Sequence, residues 1–132
     1  MVPKFRVWLP DPEVERMLRV KALVFENDKT RCVCGYAYDF YLEDEDATIM
    51  QSTGLHDKNG KEIFEGDILA IETDEGILNV NIFWDSKHAL FMFESKKYNE
   101  EDLLAELVED NTYPFEIAGN IYENPELLEV KE

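Results

Sequence analysis

Ile68-Leu69-Ala70-Ile71-Glu72-Thr73, then Asp74-Glu75-Gly76, then Ile77-Leu78-Asn79-Val80-Asn81-Ile82-Phe83-Trp84, is the stretch whose reading decides the fold. Its second half alternates. Leu78, Val80, Ile82 and Trp84 fall on one side of an extended chain, Asn79 and Asn81 on the other. Successive side chains of a strand point to opposite faces, so a period of two marks a half-buried strand. Asp74-Glu75-Gly76 reads as a turn between two such runs, and Gly66-Asp67 punctuates the chain before the first. Asp85–His88 turns the chain again, and Ala89–Glu94 supplies a third run with Phe91 and Phe93. Three strands with short connections, from 68 to 94, predict a meander.

Working toward the N-terminus, the same period persists. Lys4–Leu9 reads as a first strand, stopped by Pro10, Asp11 and Pro12, since proline cannot donate to a ladder. Arg16–Phe25 reads as one extended run. A helix over Pro12–Val20 competes with it, because Glu13 and Glu15 suit a helix N-terminus, but the β-branched residues thickening toward Phe25 favour the strand. Asn27-Asp28 is a turn. Arg31–Leu42 is a third strand region, interrupted at Gly35 and rich in Tyr36, Tyr38, Phe40 and Tyr41. Glu43–Asp46 reads as a solvated loop and Thr48–Ser52 as a short strand. Asp57-Lys58-Asn59-Gly60 is a tight-turn signal, because Asn-Gly accepts positive φ at both central positions.

Toward the C-terminus the period changes once. Asn99 is placed to cap a helix over Glu100–Glu109, with Leu103, Leu104, Leu107 and Val108 on one stripe and three acids at its positive end. Pro114 forbids continuation, Phe115–Ala118 returns to a strand, and Gly119 allows a bend. Asn124-Pro125-Glu126 starts a short terminal helix with proline at its first position. The expectation is a mainly-β protein, one domain over residues 1–132, with many short antiparallel strands and one or two short helices near the C-terminus.

Charge narrows the partners. The 132 residues carry 30 acids and 13 Lys or Arg, a net charge of −17, with 45% apolar residues to build a core. Residues 1–42 hold seven basic and six acidic side chains, a net of +1; residues 43–132 hold six and twenty-four, a net of −18. Such a surface repels nucleic-acid phosphates and anionic lipid, so neither direct nucleic-acid binding nor membrane association is expected. No run approaches the roughly 20 apolar residues of a membrane span, and residues 1–13 lack an apolar run ending in small residues. The expected location is the cytoplasm.

Chemistry-bearing constellations are sparse. Cys32 and Cys34 would share one face of a strand, at the edge of disulfide geometry, and read as reduced thiols; a zinc site wants about four ligands and no second Cys/His pair exists. His56 and His88 are single. Glu65 and Asp67 would share a strand face, as many acid pairs must in this composition. Ser86-Lys87-His88 are sequence neighbours, and a catalytic triad meets through the fold instead. The loop opening at Asp57 fails the calcium-loop pattern, with Gly60 fourth and Ile68 twelfth. Weak cation binding at Asp44–Asp46 yields to the solvated-loop reading. No catalytic, cofactor-binding or metal residue is assigned, and no cofactor is expected. What stands out is a cluster of turn residues, Gly54, Asp57, Asn59, Gly60, Gly66 and Asp67, within fourteen positions.

Three segments carry a resemblance. Lys4-Phe5-Arg6-Val7-Trp8, the segment Met50–Ile68 with its Ser52-Thr53-Gly54-Leu55-His56-Asp57-Lys58-Asn59-Gly60-Lys61-Glu62 core, and Gly119-Asn120-Ile121-Tyr122-Glu123-Asn124-Pro125-Glu126-Leu127-Leu128 together resemble the YopX family of phage and prophage proteins. The match runs from residue 4 to about 129. It implies an all-β architecture with a partial barrel, and a phage or prophage origin in a bacterial host. It supplies no reaction. Gly54, Gly60, Gly66 and Gly119 are expected where φ is positive or another segment approaches closely. Asp67 is expected to accept backbone N–H groups, and Asn120 and Asn124 to cap the last turns. With Asp57, Asn59, Glu123 and Pro125 they form the candidate structural or interaction motif.

The functional expectation is a small non-enzymatic interaction module acting on a host or phage protein with a basic or polar surface. Its rivals are an enzyme or ligand-binding protein whose site the fold assembles from residues such as His56, His88, Glu65, Asp67 and the cysteines, and an acidic mimic of DNA. Edge strands also invite a homo-oligomer.

Overall fold

The computed structural model describes residues 2–10, 13, 16–35, 38–110 and 112–129. Strands make up 56% of it and helical turns 8%, so the mainly-β class expected from the period of two holds; the sheets are antiparallel and one is a half-barrel. Two compact units divide the chain, Met1–Ser52 and Thr53–Glu132. The boundary falls inside the segment Met50–Ile68, so that motif runs from one unit into the next.

In the first unit, β1 (Phe5–Leu9) pairs with β2 (Arg16–Arg19) on one side and with the start of β6 (Thr48–His56) on the other. A second sheet has β4 (Thr30–Gly35) between β3 (Ala22–Phe25) and β5 (Tyr38–Tyr41). The single run expected over Arg16–Phe25 is therefore two strands in two sheets. The switch takes one peptide. Val20 N–H donates to Phe5 O, and the next residue, Lys21, donates its N–H to Val33 O. Periodicity cannot see this, because the chain stays extended through the change of partner. The competing helix is overturned by β2; three of its first four residues, 12, 14 and 15, lie outside the described ones, as does Tyr36. The acidic loop is pinned at two points: Lys29 Nζ lies 2.9 Å from both oxygens of Asp44, and Glu43 accepts from Thr30 N–H. The cation at Asp44 is a lysine of the chain itself.

The second unit contains the predicted meander. β8 (Asp67–Thr73), β9 (Gly76–Asp85) and β10 (Leu90–Ser95) are its strands, and β11 (Glu100–Leu103) and β12 (Phe115–Asn120) flank them in the order β11-β10-β9-β8-β12. Register brings Leu69 opposite Val80, Ile71 opposite Leu78 and Phe115, and Ile82 opposite Phe93. The core of this unit consists of Ile63, Leu69, Ile71, Val80, Ile82, Leu104 and Phe115. Each such side chain contributes about 1.5–3 kcal/mol on burial. The alternation read from sequence is the one observed, except at the hairpin end. There Trp84 shares the core face yet stays 41% exposed, its ring edge-on to Phe91 at 4.8 Å.

The helix expected over Glu100–Glu109 is corrected. Its first four residues are β11, paired with β10 from Ser95 opposite Glu100 to Met92 opposite Leu103. Asn99 has φ 52° and closes the turn into that pairing; it caps nothing. Only α1 (Leu104–Glu109) is helical, begun at Leu103 without a side-chain cap. The outer groups of β10 demanded partners, and a ladder satisfies them where a charged first helical turn would not. The stripe Leu104, Leu107 and Val108 still packs on the core. After β12, Pro125–Leu128 forms a 3-10 turn with proline in its first turn, and Asn79 Nδ2 holds it through Leu127 O.

Candidate functional site

The turn cluster lies at the hairpin joining β6 to β7 (Glu62–Phe64). β6 reaches His56, four residues beyond the strand expected to end at Ser52. Asp57 N–H donates to Lys61 O and Gly60 N–H to Asp57 O. Gly60 has φ +79°, but Asn59 is not among the residues of positive φ. The two-residue turn expected of Asn-Gly is thus one residue longer: a three-residue loop with glycine in the left-handed position, closing on a bulge. Gly60 is needed there because a Cβ is penalised in that conformation.

Asp57 holds this loop from beneath. It is 7% exposed, and its carboxylate is saturated by main-chain donors. Oδ1 accepts Asn59 N–H and Lys61 N–H at 2.9 Å each, and Oδ2 accepts Ile117 N–H at 3.0 Å. Burial pushes its pKa up, but the Ile117, Lys61 and Asn59 N–H groups outweigh that and hold it below the usual carboxylate range. Lys58 N–H meets Phe115 O, and Asn59 Nδ2 meets Glu116 Oε2. The loop therefore lies along the side of β12 that faces away from β8. Thr53 works under the same hairpin: its buried hydroxyl donates to Ile63 O at 2.7 Å and accepts Leu55 N–H. Thr53→Val keeps the shape and leaves both main-chain groups short of a partner. A loss of about 1–2 kcal/mol is expected in urea unfolding.

A second node gathers the other motif residues. Asp67 is 2% exposed, lies opposite Asn120 in the β8–β12 register, and accepts Phe64 N–H at 2.8 Å. Gly66 N–H donates to Ile82 O, and Gly66 O accepts Ile121 N–H. Asn120 Oδ1 accepts Tyr122 N–H and Glu123 N–H, and its Nδ2 donates to Glu123 Oε1. Asn124 Oδ1 accepts Asn120 N–H, so it closes the loop behind it and does not cap the 3-10 turn that starts at Pro125. Gly54 and Gly66 have positive φ; Gly119 does not. At Gly119 the reason is close approach, since a Cβ there would lie within 2.7 Å of Asn124 Cγ. The register shift between Ile117 and Gly119 adds a bulge at the same point.

Turn chemistry in the sequence pointed to Gly54, Asp57, Asn59, Gly60, Gly66 and Asp67, and the family resemblance to Asn120 and Glu123. Sequence reading missed Thr53, whose hydroxyl looks like any strand threonine, and the role of the Ile117 main chain, which no side-chain pattern announces.

Groups with acid–base potential stay apart. Glu65 sits in the turn between β7 and β8 and does not share a strand with Asp67. Asp85 accepts Lys87 and His88 N–H groups, and its Oδ2 lies 2.8 Å from His88 Nδ1; that bond to His88 draws its pKa down. His56 lines a cleft of about 200 Å³ with Asp57, Lys58, Asp110, Tyr113 and Phe115, which His88, Glu65 and Asp67 do not enter. In the first unit, Cys32 and Cys34 are free thiols with their sulfurs 3.8 Å apart. Burial first, then the neighbouring Cys34, pushes the Cys32 thiol up to about 12; burial also raises Cys34. Among the described residues no three His, Cys, Asp or Glu side chains converge to hold a metal ion, and no helix is long and apolar enough to cross a membrane.

A family model described as YopX protein matches residues 4–129. The crystal structure of protein EF1440 from Enterococcus faecalis is similar at a TM-score of 0.64 and 28% identity, over 98% of this chain and 99% of that one. The structure of protein yopX from Bacillus subtilis is similar at a TM-score of 0.64 and 17% identity, over 96% and 98%. No curated protein matches the chain.

Proposed function

This chain belongs to the YopX family, and on that footing we propose that it is a small non-enzymatic interaction module of phage or prophage origin, docking a host or phage protein with a basic surface in the bacterial cytoplasm. One observation carries the reading. Glu94 on β10 lies directly opposite Glu101 on β11, with Glu100 and Asp102 beside it on the same outer strand. Like charges in facing positions destabilise a sheet by up to about 1 kcal/mol. A basic partner converts that cost into attraction, and the unit that bears it, residues 53–132, has twenty acids against six basic residues. The saturated carboxylate of Asp57, and that of Asp67 under Phe64 N–H, belong to the scaffold that holds the sheet.

The test is capture from a host lysate by the tagged chain and by Glu101→Lys. Wild type is expected to retain a basic protein at low ionic strength and release it at ~1 M salt, where the screening length falls to ~3 Å. Glu101→Lys is expected to be about 0.5–1 kcal/mol more stable and to lose the partner. A variant equally able to capture it, or a wild-type chain with no salt-sensitive partner, overturns the reading. Displacement of the partner by duplex DNA marks it as a nucleic-acid-binding protein and the carboxylates as stand-ins for phosphates.

A further inference from the structure

We propose that Cys32 and Cys34 form a two-thiolate chelating site for a soft d10 metal ion, a site in the first unit separate from the acidic sheet above. The two are alternate residues of β4 and present their sulfurs on one face, 3.8 Å apart. A disulfide needs about 2.05 Å between sulfurs, and strand neighbours two apart stand near 6.5–7 Å at Cα, the outer limit for bridging. The pair is spaced to be spanned by an atom. An ion at the ordinary metal–thiolate length of about 2.3 Å from each sulfur subtends an S–M–S angle of roughly 111°, within a few degrees of tetrahedral.

The surroundings select the ion. No third Cys, His, Asp or Glu joins the pair among the described residues, so hard ions that want several oxygens find none. The cross-strand neighbours of Cys32 are Leu23 on β3 and Phe40 on β5, both apolar. A sulfur-only pair bent at that angle suits a soft, thiophilic ion such as Cd(II). Cys32 is fully buried and Cys34 half-buried, so the ion enters on the Cys34 side, and its remaining positions face solvent for water or a small thiol. The charge of Arg16 favours the Cys34 thiolate. The β4 bulge at Gly35, where φ is +100° and the Lys21 side chain lies alongside, follows directly after the pair. Binding breaks two S–H bonds and forms two metal–sulfur bonds; both protons pass to buffer, and two waters leave the ion. Thiols at rest in their protonated form release a full proton each.

The experiment is titration of the reduced full-length chain with Cd(II), whose thiolate complexes absorb in the ultraviolet where the hydrated ion does not. The expected result is a thiolate-to-metal band saturating at one ion per chain, two protons released per ion, and no displacement by excess Mg(II). Cys34→Ser, at the half-buried position and with unchanged circular dichroism, is expected to weaken binding about a hundredfold, the loss of one of two linked ligands. Cys32→Ser is expected to do the same. No thiolate band with wild type, displacement by Mg(II), or undiminished binding by Cys34→Ser overturns the proposal.

Discussion

Asp57→Ala is expected to cost about 3 kcal/mol of stability, the largest effect of any single polar substitution in the second unit. Three main-chain N–H groups, of Asn59, Lys61 and Ile117, end on this one carboxylate. A hydrogen bond to a charged acceptor contributes about 1.5–3 kcal/mol, and donors left buried and unpaired add their own cost. The bonds also span sixty residues, since Ile117 belongs to β12 and Asp57 to the β6–β7 loop. Urea unfolding at neutral pH measures the loss. Asp57→Asn should fall between, because it keeps one acceptor oxygen and turns an amide toward a donor. The pH dependence is a second readout. The folded pKa is lowered, so the stabilisation is complete above the unfolded value of about 3.9 and disappears as pH falls through the folded one. The gap between wild type and Asp57→Ala should close below about pH 4. A gap constant through acid would show that the carboxylate's charge is irrelevant to the loop.

Gly119→Ala is the second large effect, a loss of about 2 kcal/mol from overpacking. The new methyl would sit 3.0 Å from Asn124 Cβ and nearer still to that side chain's amide. Relief requires Asn124 to move, and moving it strips the acceptor from Asn120 N–H. The two positions are therefore coupled. Asn124→Gly alone loses a hydrogen bond, yet in the Gly119→Ala background it also removes the clash. The double variant should be about 1 kcal/mol more stable than the sum of the single losses. Strict additivity in denaturant unfolding would mean that the close approach carries no energy.

How far the fold was legible follows from what each signal depends on. The meander from Asp67 to Ser95 was readable because side-chain alternation is local and its turns hold Gly76 and Asp85. The turn cluster was readable for the same reason: Asp57, Gly60, Gly66 and Asp67 announce main-chain geometry by residue type. What failed was long-range. Arg16–Phe25 gave one unbroken period, although hydrogen bonding moves from β1 to β4 between Val20 and Lys21. Glu100–Leu103 fitted a helix by charge and cap, and only the open side of β10 makes it a strand. The pairing of Glu94 with Glu101 exists in the register alone. Asn59-Gly60 pointed to the right place with the wrong turn, since the loop length is set by where Asp57 meets Lys61. The candidate site was thus visible as a set of residues, and β12 as a strand over Phe115–Ala118, while the bond from Ile117 N–H to Asp57 that ties the two together was not.

The loop that Asp57 anchors also bears on how this sheet behaves in a crowd of its own copies. An antiparallel sheet lengthens into fibres by recruiting strands at whichever side offers unsatisfied main-chain groups. On β12 the available groups at Phe115 O and Ile117 N–H are consumed by Lys58 and Asp57. At the opposite side, β11 presents Glu100, Glu101 and Asp102, which repel an identical copy. The five-stranded sheet is plugged at one end and electrostatically guarded at the other, so it makes a poor template for its own polymerisation. Loosening the Asp57 loop would unplug one of those ends, and a chain lacking that carboxylate should be marked as much by seeded fibre growth as by lost stability.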